Sequence, residues 1–191
     1  MGREFELKYR ATPEQLEAIH RRHTGWHTIT METIYYDTPT GELSRRRWTL
    51  RRRMENGSPV CTLKIGLSDG SRGEWEVPCP DILEAISGLI ALGAPEELAA
   101  IVSQGIAPTC GAKFTRRAAT VQTGSATVEI ALDQGILLGG GKELPLCEAE
   151  VELKSGPDGD AIAFAKSLAA AIGLTPETKS KLARARTLAG L

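Results

Sequence analysis

Glu4-Phe5-Glu6-Leu7-Lys8 alternates charge with apolar bulk at every step. In a strand, residues i and i+2 share a face, so Glu4, Glu6 and Lys8 project together while Phe5 and Leu7 project the other way. Alone, such a strand is the solvated face of any antiparallel sheet. The pattern recurs, however. Arg51 and Arg53 share a face, as do Thr62 and Lys64; Arg72, Glu74 and Glu76; Glu129 and Asp133; and Glu148, Glu150, Glu152 and Lys154. The backs of these strands carry Leu50, Leu63 and Ile65, Trp75 and Val77, Val128 and Ile130, and Ala149 and Val151.

A solvated face mixes residue kinds, whereas these strands are nearly pure in sign. Acidic strands lie at both ends of the chain and basic strands between them. Like charges on neighbouring strand positions repel, and clustering them becomes favourable when a counter-ion fills the gap. Converging carboxylates make an oxygen site for Mg²⁺ or Mn²⁺. Converging Arg and Lys suit a polyanion, with Arg able to grip phosphate in bidentate fashion. Together they describe a phosphoryl-transfer site in a concave sheet.

The bulk properties permit this and exclude little else. At 191 residues, 41% hydrophobic and 25% charged, the chain suits one domain with an ordinary core. A net charge of -1 argues against a surface given over to nucleic acid or membrane, while allowing strong local fields. Cys61, Cys79, Cys110 and Cys147 are scattered, as for reduced thiols in a cytoplasmic protein. Met1-Gly2-Arg3-Glu4 opens directly into a strand pattern, so no targeting segment is expected, and no apolar run reaches membrane-spanning length.

Along the chain the pattern predicts strands at about 3–10, 28–37, 47–55, 59–66, 72–78, 112–122, 125–133 and 146–154. Turn residues separate them at Asn56-Gly57-Ser58 and Ser68-Asp69-Gly70, and Gly139-Gly140-Gly141 is expected in a loop. Thr12-Pro13-Glu14-Gln15 reads as a capped helix start, and a second helix is expected from Asp81. A short helix should follow Pro95, another should run from Asp158 to a stop at Gly173, and a last one should begin at Thr175-Pro176-Glu177. Hairpin-length links imply an antiparallel sheet with enough strands to curl or close.

Other chemistries lack their residues. His20, His23 and His27 crowd one helix end without an acidic or cysteine partner at zinc spacing. There is no Walker loop, since Lys142 follows Gly141 but precedes Glu143, and no nucleophile elbow. Arg45-Arg46-Arg47 with Arg51-Arg52-Arg53 suggests nucleic acid, but Trp48 is the one interleaved aromatic and the acidic strands would repel a phosphate backbone lacking metal.

Seven elements in order carry a family resemblance. They are Glu4-x-Glu6-x-Lys8, Tyr35-Tyr36-Asp37-Thr38-Pro39, Leu50-Arg51-x-Arg53, Thr62-Leu63-Lys64, Arg72-x-Glu74-x-Glu76, Glu148-x-Glu150-x-Glu152-Leu153-Lys154, and Ser180-Lys181 with Arg184. The chain resembles the CYTH superfamily, or triphosphate tunnel metalloenzymes, over essentially its whole length. Phe114-Thr115-Arg116, Glu129 to Gly135 and Cys147-Glu148 are most similar to the bacterial inorganic triphosphatases. Ala185 departs from the glycine that relatives tend to have. Those triphosphatases often carry a helical CHAD domain after the CYTH domain. Residues 1–191 are therefore expected to be a single CYTH domain without CHAD, either a stand-alone enzyme or part of a longer protein.

The resemblance implies an α+β fold, an eight-stranded antiparallel β-barrel forming a tunnel with flanking helices. It implies that Glu4, Glu6, Glu150 and Glu152 hold divalent metal, Mg²⁺ or Mn²⁺, with Glu74 or Glu76 and Asp133 as secondary ligands or water-orienting groups. Lys8, Arg51, Arg53, Lys64, Arg116 and Lys181, with Arg72 and Arg184, would bind phosphates. Arg116 and Arg117 compete for one role, because adjacent strand residues face opposite ways. Glu4, Glu6 and Lys8 are the catalytic candidates, for water attacking a terminal phosphorus of tripolyphosphate. Adenylate cyclase of class IV, thiamine or nucleoside triphosphatase, and a polyphosphate-binding module without turnover are the alternatives. The expected partner is a triphosphate-containing small molecule, with no nucleic acid and no membrane, bound by a monomer or homodimer.

Overall fold

The computed structural model describes residues 2–66 and 72–191, with side chains except those of residues 2–4 and 72. The expected roles of the Glu4 and Arg72 side chains, and the Ser68-Asp69-Gly70 turn, lie outside the described residues. In chain order the first elements are β1 (Gly2–Glu4), β2 (Glu6–Arg10), α1 (Pro13–His20), β3 (His27–Asp37), α2 (Glu42–Arg45), β4 (Trp48–Glu55), β5 (Ser58–Gly66) and β6 (Arg72–Pro78). There follow α3 (Ala85–Ala91), α4 (Glu97–Val102), β7 (Ala107–Thr123), β8 (Ala126–Gly139), β9 (Lys142–Ser155), α5 (Asp158–Ile172), β10 (Thr175–Pro176) and α6 (Lys181–Ala189).

All strands join one antiparallel sheet in the order β1-β6-β5-β4-β3-β7-β8-β9-β2-β10. β1 and β2 are halves of one segment, divided only at Phe5. The first half pairs with β6, Glu4 opposite Arg72, and the second with β9, Glu6 opposite Glu152. One N-terminal segment thus bridges both edges of the sheet. Counted as one, it makes eight principal strands, with β10 a two-residue addition against Tyr9 and Arg10. The barrel is closed by this bridge rather than by a ladder running unbroken on both sides of one strand.

The apolar backs pack outward under helices. Leu16 and Ile19 of α1 and Ala161, Ala165 and Leu168 of α5 cover Tyr9, Val128, Ile130 and Val151. Ile86, Leu89 and Leu98 cover Leu50, Cys61, Leu63 and Trp75. The charged faces therefore turn inward. A third cluster closes part of the interior, where Ala185 of α6 meets Met31, Tyr35, Phe114, Leu137 and Leu146. Gly139 allows this seat, because a Cβ there would stand 2.4 Å from the Ala185 carbonyl oxygen.

The capping box of α1 forms as read, with Thr12 Oγ1 accepting from Gln15 N at 3.3 Å and Thr12 N donating to Gln15 Oε1 at 2.8 Å. β7, β8 and β9 run longer than the reading, α2 was not expected, and three further boundaries differ for identifiable reasons. The last helix starts at Lys181, not Thr175, because Thr175 and Pro176 are drawn into the sheet and Glu177 N donates to Lys8 O at 2.8 Å. α3 starts at Ala85, since Asp81 Oδ1 accepts from Leu83 N and Glu84 N in a turn. Gly139 belongs to β8, and only Gly140 and Gly141, at φ 57° and 72°, make the turn of a long β8–β9 hairpin.

A charged tunnel as candidate active site

The barrel interior is a cavity of about 400 Å³. Alternation delivers its walls. β2 gives Glu6 and Lys8, β4 gives Thr49, Arg51, Arg53 and Glu55, and β5 gives Lys64. β6 adds Glu74 and Glu76, β7 Phe114 and Arg116, β8 Glu129, and β9 Glu150, Glu152 and Lys154. Lys181 enters from the first turn of α6. Seven bases and seven acids line the cavity, so its described wall is electrically balanced.

The balance divides into two regions. At one end a buried knot is held tightly. Arg116 grips Asp133 through two bonds of 2.7 Å and reaches Glu150 at 2.6 Å. Lys181 Nζ lies 2.8 Å from both Asp133 and Glu150 and also contacts Glu148, which Arg184 holds from its other oxygen. Asp133 and Glu148 are fully buried and do not line the cavity. Burial alone would raise the Glu150 carboxyl, but Lys181 and Arg116 hold it well below the usual carboxylate range. Burial pushes the Glu148 carboxyl up despite Lys181 and Arg184. Against burial, the surrounding acids raise Lys181 and Arg116 above their ordinary values.

The other region is loosely paired. Arg51 stands 3.6 Å from Glu74 and 3.8 Å from Glu76, beyond hydrogen-bond reach. Arg53 contacts Glu55 and lies 3.5 Å from Glu76. The Nε groups of both arginines are buried without a hydrogen-bond acceptor. Burial and the neighbouring Arg51 lower the pKa of Arg53, the mark of cations crowded without enough counter-charge. Lys64 approaches Glu74 at 3.1 Å, and Glu76 also accepts from Thr62 Oγ1 at 2.9 Å.

Asp133, Glu148 and Glu150 bring carboxylate oxygens within 4.8 Å of one another, close enough for a metal. Lys181 and Arg116 already occupy that concave side, so this trio acts as a neutralised ion cluster here. A second acidic row lines the cavity, its three carboxylates converging less tightly than that trio. Glu6 is opposite Glu152, and Glu152 is opposite Glu129, so three inward carboxylates adjoin across β2, β9 and β8. Lys8 lies 3.1 Å from Glu6, and Lys154 lies 3.0 Å from Glu152 and 3.4 Å from Glu129. Adjacent like charges across a ladder cost stability, and hard divalent ions take such oxygens.

The structure thus brings Glu6, Lys8, Arg51, Arg53, Lys64, Glu74, Glu76, Arg116, Glu150, Glu152 and Lys181 to one cavity. Asp133 and Arg184 stand behind its wall. Of Arg116 and Arg117, Arg116 lines the cavity, whereas Arg117 pairs outside with Glu17 of α1 at 2.6 Å. Sequence reasoning omitted Glu129, Lys154 and Glu55 from the site. The signal for Glu129 was present, since it shares a face with Asp133, but its register against Glu152 was not.

An antiparallel barrel whose interior is lined by acidic and basic side chains defines a charged-tunnel protein. The CYTH domain pattern matches residues 2–185, and the chain belongs to the CYTH domain family. It is 28% identical over 179 residues to an inorganic triphosphatase of Haemophilus influenzae, an alignment covering 88% of this chain and 50% of that protein. The chain spans about half the length of that curated relative. HpAC1 of Hippeastrum, a candidate adenylyl cyclase reported to have a dominant triphosphatase activity, superposes with a TM-score of 0.68 at 17% identity, covering 97% of this chain and 96% of that one. The PH1819 protein of Pyrococcus horikoshii gives 0.65 at 23%, covering 95% and 97%. These two likenesses establish the fold.

Proposed function

We propose that this chain hydrolyses a terminal phosphoanhydride bond of a triphosphate, inorganic tripolyphosphate first, with Mg²⁺ or Mn²⁺. The observation that carries this is the balanced described wall of the tunnel, with Arg51 beyond hydrogen-bond reach of the described carboxylates. A polyanion entering a neutral enclosure must bring cations, and the row Glu6–Glu152–Glu129 is where they fit. When bound, the ion offsets phosphate charge and makes water more acidic.

The protein's own groups do the rest. Arg51, Arg53 and Lys64 face the phosphates and favour charge developing on the leaving pyrophosphate oxygen. Lys8 bridges the acidic row to the phosphates. Glu6, beside Lys8, is placed to take a proton from the attacking water. Water adds to the terminal phosphorus as its bond to the bridging oxygen breaks, giving phosphate and pyrophosphate. The knot of Arg116, Lys181, Asp133 and Glu150 holds the far wall in shape.

Phosphate release from tripolyphosphate, ATP and thiamine triphosphate with each ion tests the reading. Preferred release from tripolyphosphate is expected, and Glu6→Gln should remove most of it while leaving the fold intact. Equal and negligible release from all three would instead make the chain a binding module. Cyclic product from ATP would make it a cyclase.

A further inference from the structure

A second cavity, of about 500 Å³, adjoins the tunnel. Thr49, Lys64, Ser180 and Leu182 line both spaces. The hydrolytic reading gives this chamber no role, and its charge differs from the tunnel's. Arg47, Lys64 and Arg186 line it, and among the described residues no carboxylate side chain does. Asp37 holds Arg186 from behind at 3.3 Å.

The backbone supplies an independent observation. Arg47 has φ +60°, a left-handed conformation unfavourable for a side chain with a Cβ. Among the described residues the other non-glycine case is Asn56, in an Asn-Gly turn where asparagine is at ease. Arg45 and Arg46 both pair with Glu42, whereas Arg47 makes no ion pair with a described residue. An arginine held at the left-handed position that ends α2, exposed at a cavity rim and without an ion pair to a described residue, is a candidate for ligand contact.

We propose that the chamber is an outer anion subsite, taking the phosphates of a linear inorganic polyphosphate beyond the three held in the tunnel. This rests on the tunnel being the triphosphate site. A chain leaving the tunnel past Lys64 meets Arg47 and Arg186 next. An aromatic base fits less well. Trp48 is the one aromatic ring among the described lining residues, so a base would find at most one stacking partner. The described lining also offers no carboxylate or amide side chain to receive an amino group.

The test compares tripolyphosphate, tetrapolyphosphate, a long-chain polyphosphate and ATP, with Mg²⁺, in the wild type, Arg47→Gly and Arg47→Lys. In the wild type, KM should fall as the chain lengthens. Arg47→Gly should raise KM for the longer chains about tenfold, the loss of one charge-assisted contact, and leave tripolyphosphate unchanged. Its melting temperature should not fall, because glycine relaxes the backbone. Arg47→Lys should recover part of the length dependence.

Equal effects at every length, or none, overturn the subsite. So does a larger effect on ATP than on tetrapolyphosphate, which would assign the chamber to an organic group. Calorimetric binding of the same polyphosphates separates the two readings. Length-dependent affinity lost in Arg47→Gly supports the subsite even without turnover, and length-independent affinity sinks it even if tripolyphosphate is hydrolysed.

Discussion

Two arginines of the tunnel, on strands separated only by β3, differ in how tightly they are paired. Arg116 neutralises Asp133 and Glu150 at 2.6–2.7 Å, and Asp133 is fully buried. Arg116→Ala should therefore cost about 3–5 kcal/mol, because it leaves a buried carboxylate uncompensated. Arg51, with described carboxylates no nearer than 3.6 Å and an unsatisfied Nε, stabilises little. Arg51→Ala should change stability by less than about 1 kcal/mol while raising KM for tripolyphosphate at least about tenfold. Urea denaturation beside steady-state kinetics checks both, and a stability loss in Arg51→Ala matching that of Arg116→Ala would merge the two regions. The acidic row makes a parallel prediction, that Glu129→Gln lowers metal-dependent turnover as Glu6→Gln does. Metal titration of the rate would show a raised requirement.

At the scale of elements, α6 and the segment before it carry Lys181 into the tunnel. Glu177 anchors that segment. Its buried side chain accepts from Lys179 N at 2.9 Å and pairs with Arg10 at 2.9 Å. Burial would raise its pKa, but these contacts and Arg184 hold it below the ordinary 4.5. A depressed folded-state pKa contributes stability above the unfolded value, lost as pH falls through the folded one. Glu177→Gln should thus cost about 1–2 kcal/mol near neutrality, with the gap from wild type closing below about pH 4.5 in denaturation curves. A gap constant with pH would mean that charge is not the anchor. Gly139→Ala makes the steric counterpart. Its Cβ would press on Ala185 O at 2.4 Å and Ala189 N at 2.9 Å, so α6 should loosen at a cost of about 1–3 kcal/mol.

The whole molecule shows what a linear reading can and cannot reach. Strand identity and the sharing of one face by the charges were legible because period-two alternation is local, as in Glu148 to Lys154, whereas the inward sense of that face came from the family resemblance. The pairing of Glu6 with Glu152 and Glu129 was not, since register depends on partners far along the chain. Nor could α6's start be read, because the ladder that claims Thr175 and Pro176 belongs to Tyr9 and Arg10. The division of the tunnel into tight and loose pairs is likewise invisible before distances exist. The balanced wall has a collective consequence: Mg²⁺ or tripolyphosphate alone should raise the melting temperature little. Together, at about 100 times the joint dissociation constant, they should add about 2.7 kcal/mol. Equal stabilisation by tripolyphosphate without metal would contradict the neutral tunnel.

The segment split at Phe5 imposes a schedule on folding. Lys8 must find Glu150, far along the chain, before the sheet acquires its bridge. Residues 6–10 are translated before their partner strand β9, which emerges only after β3 to β8 have been made. Until β2 and β9 pair, the sheet keeps an open edge, the condition under which chains pair with each other. Contacts of such long sequence separation slow folding. A circular permutant that places residues 1–10 after residue 155 would bring the bridge next to β9, and should refold faster with less aggregation at the same final stability.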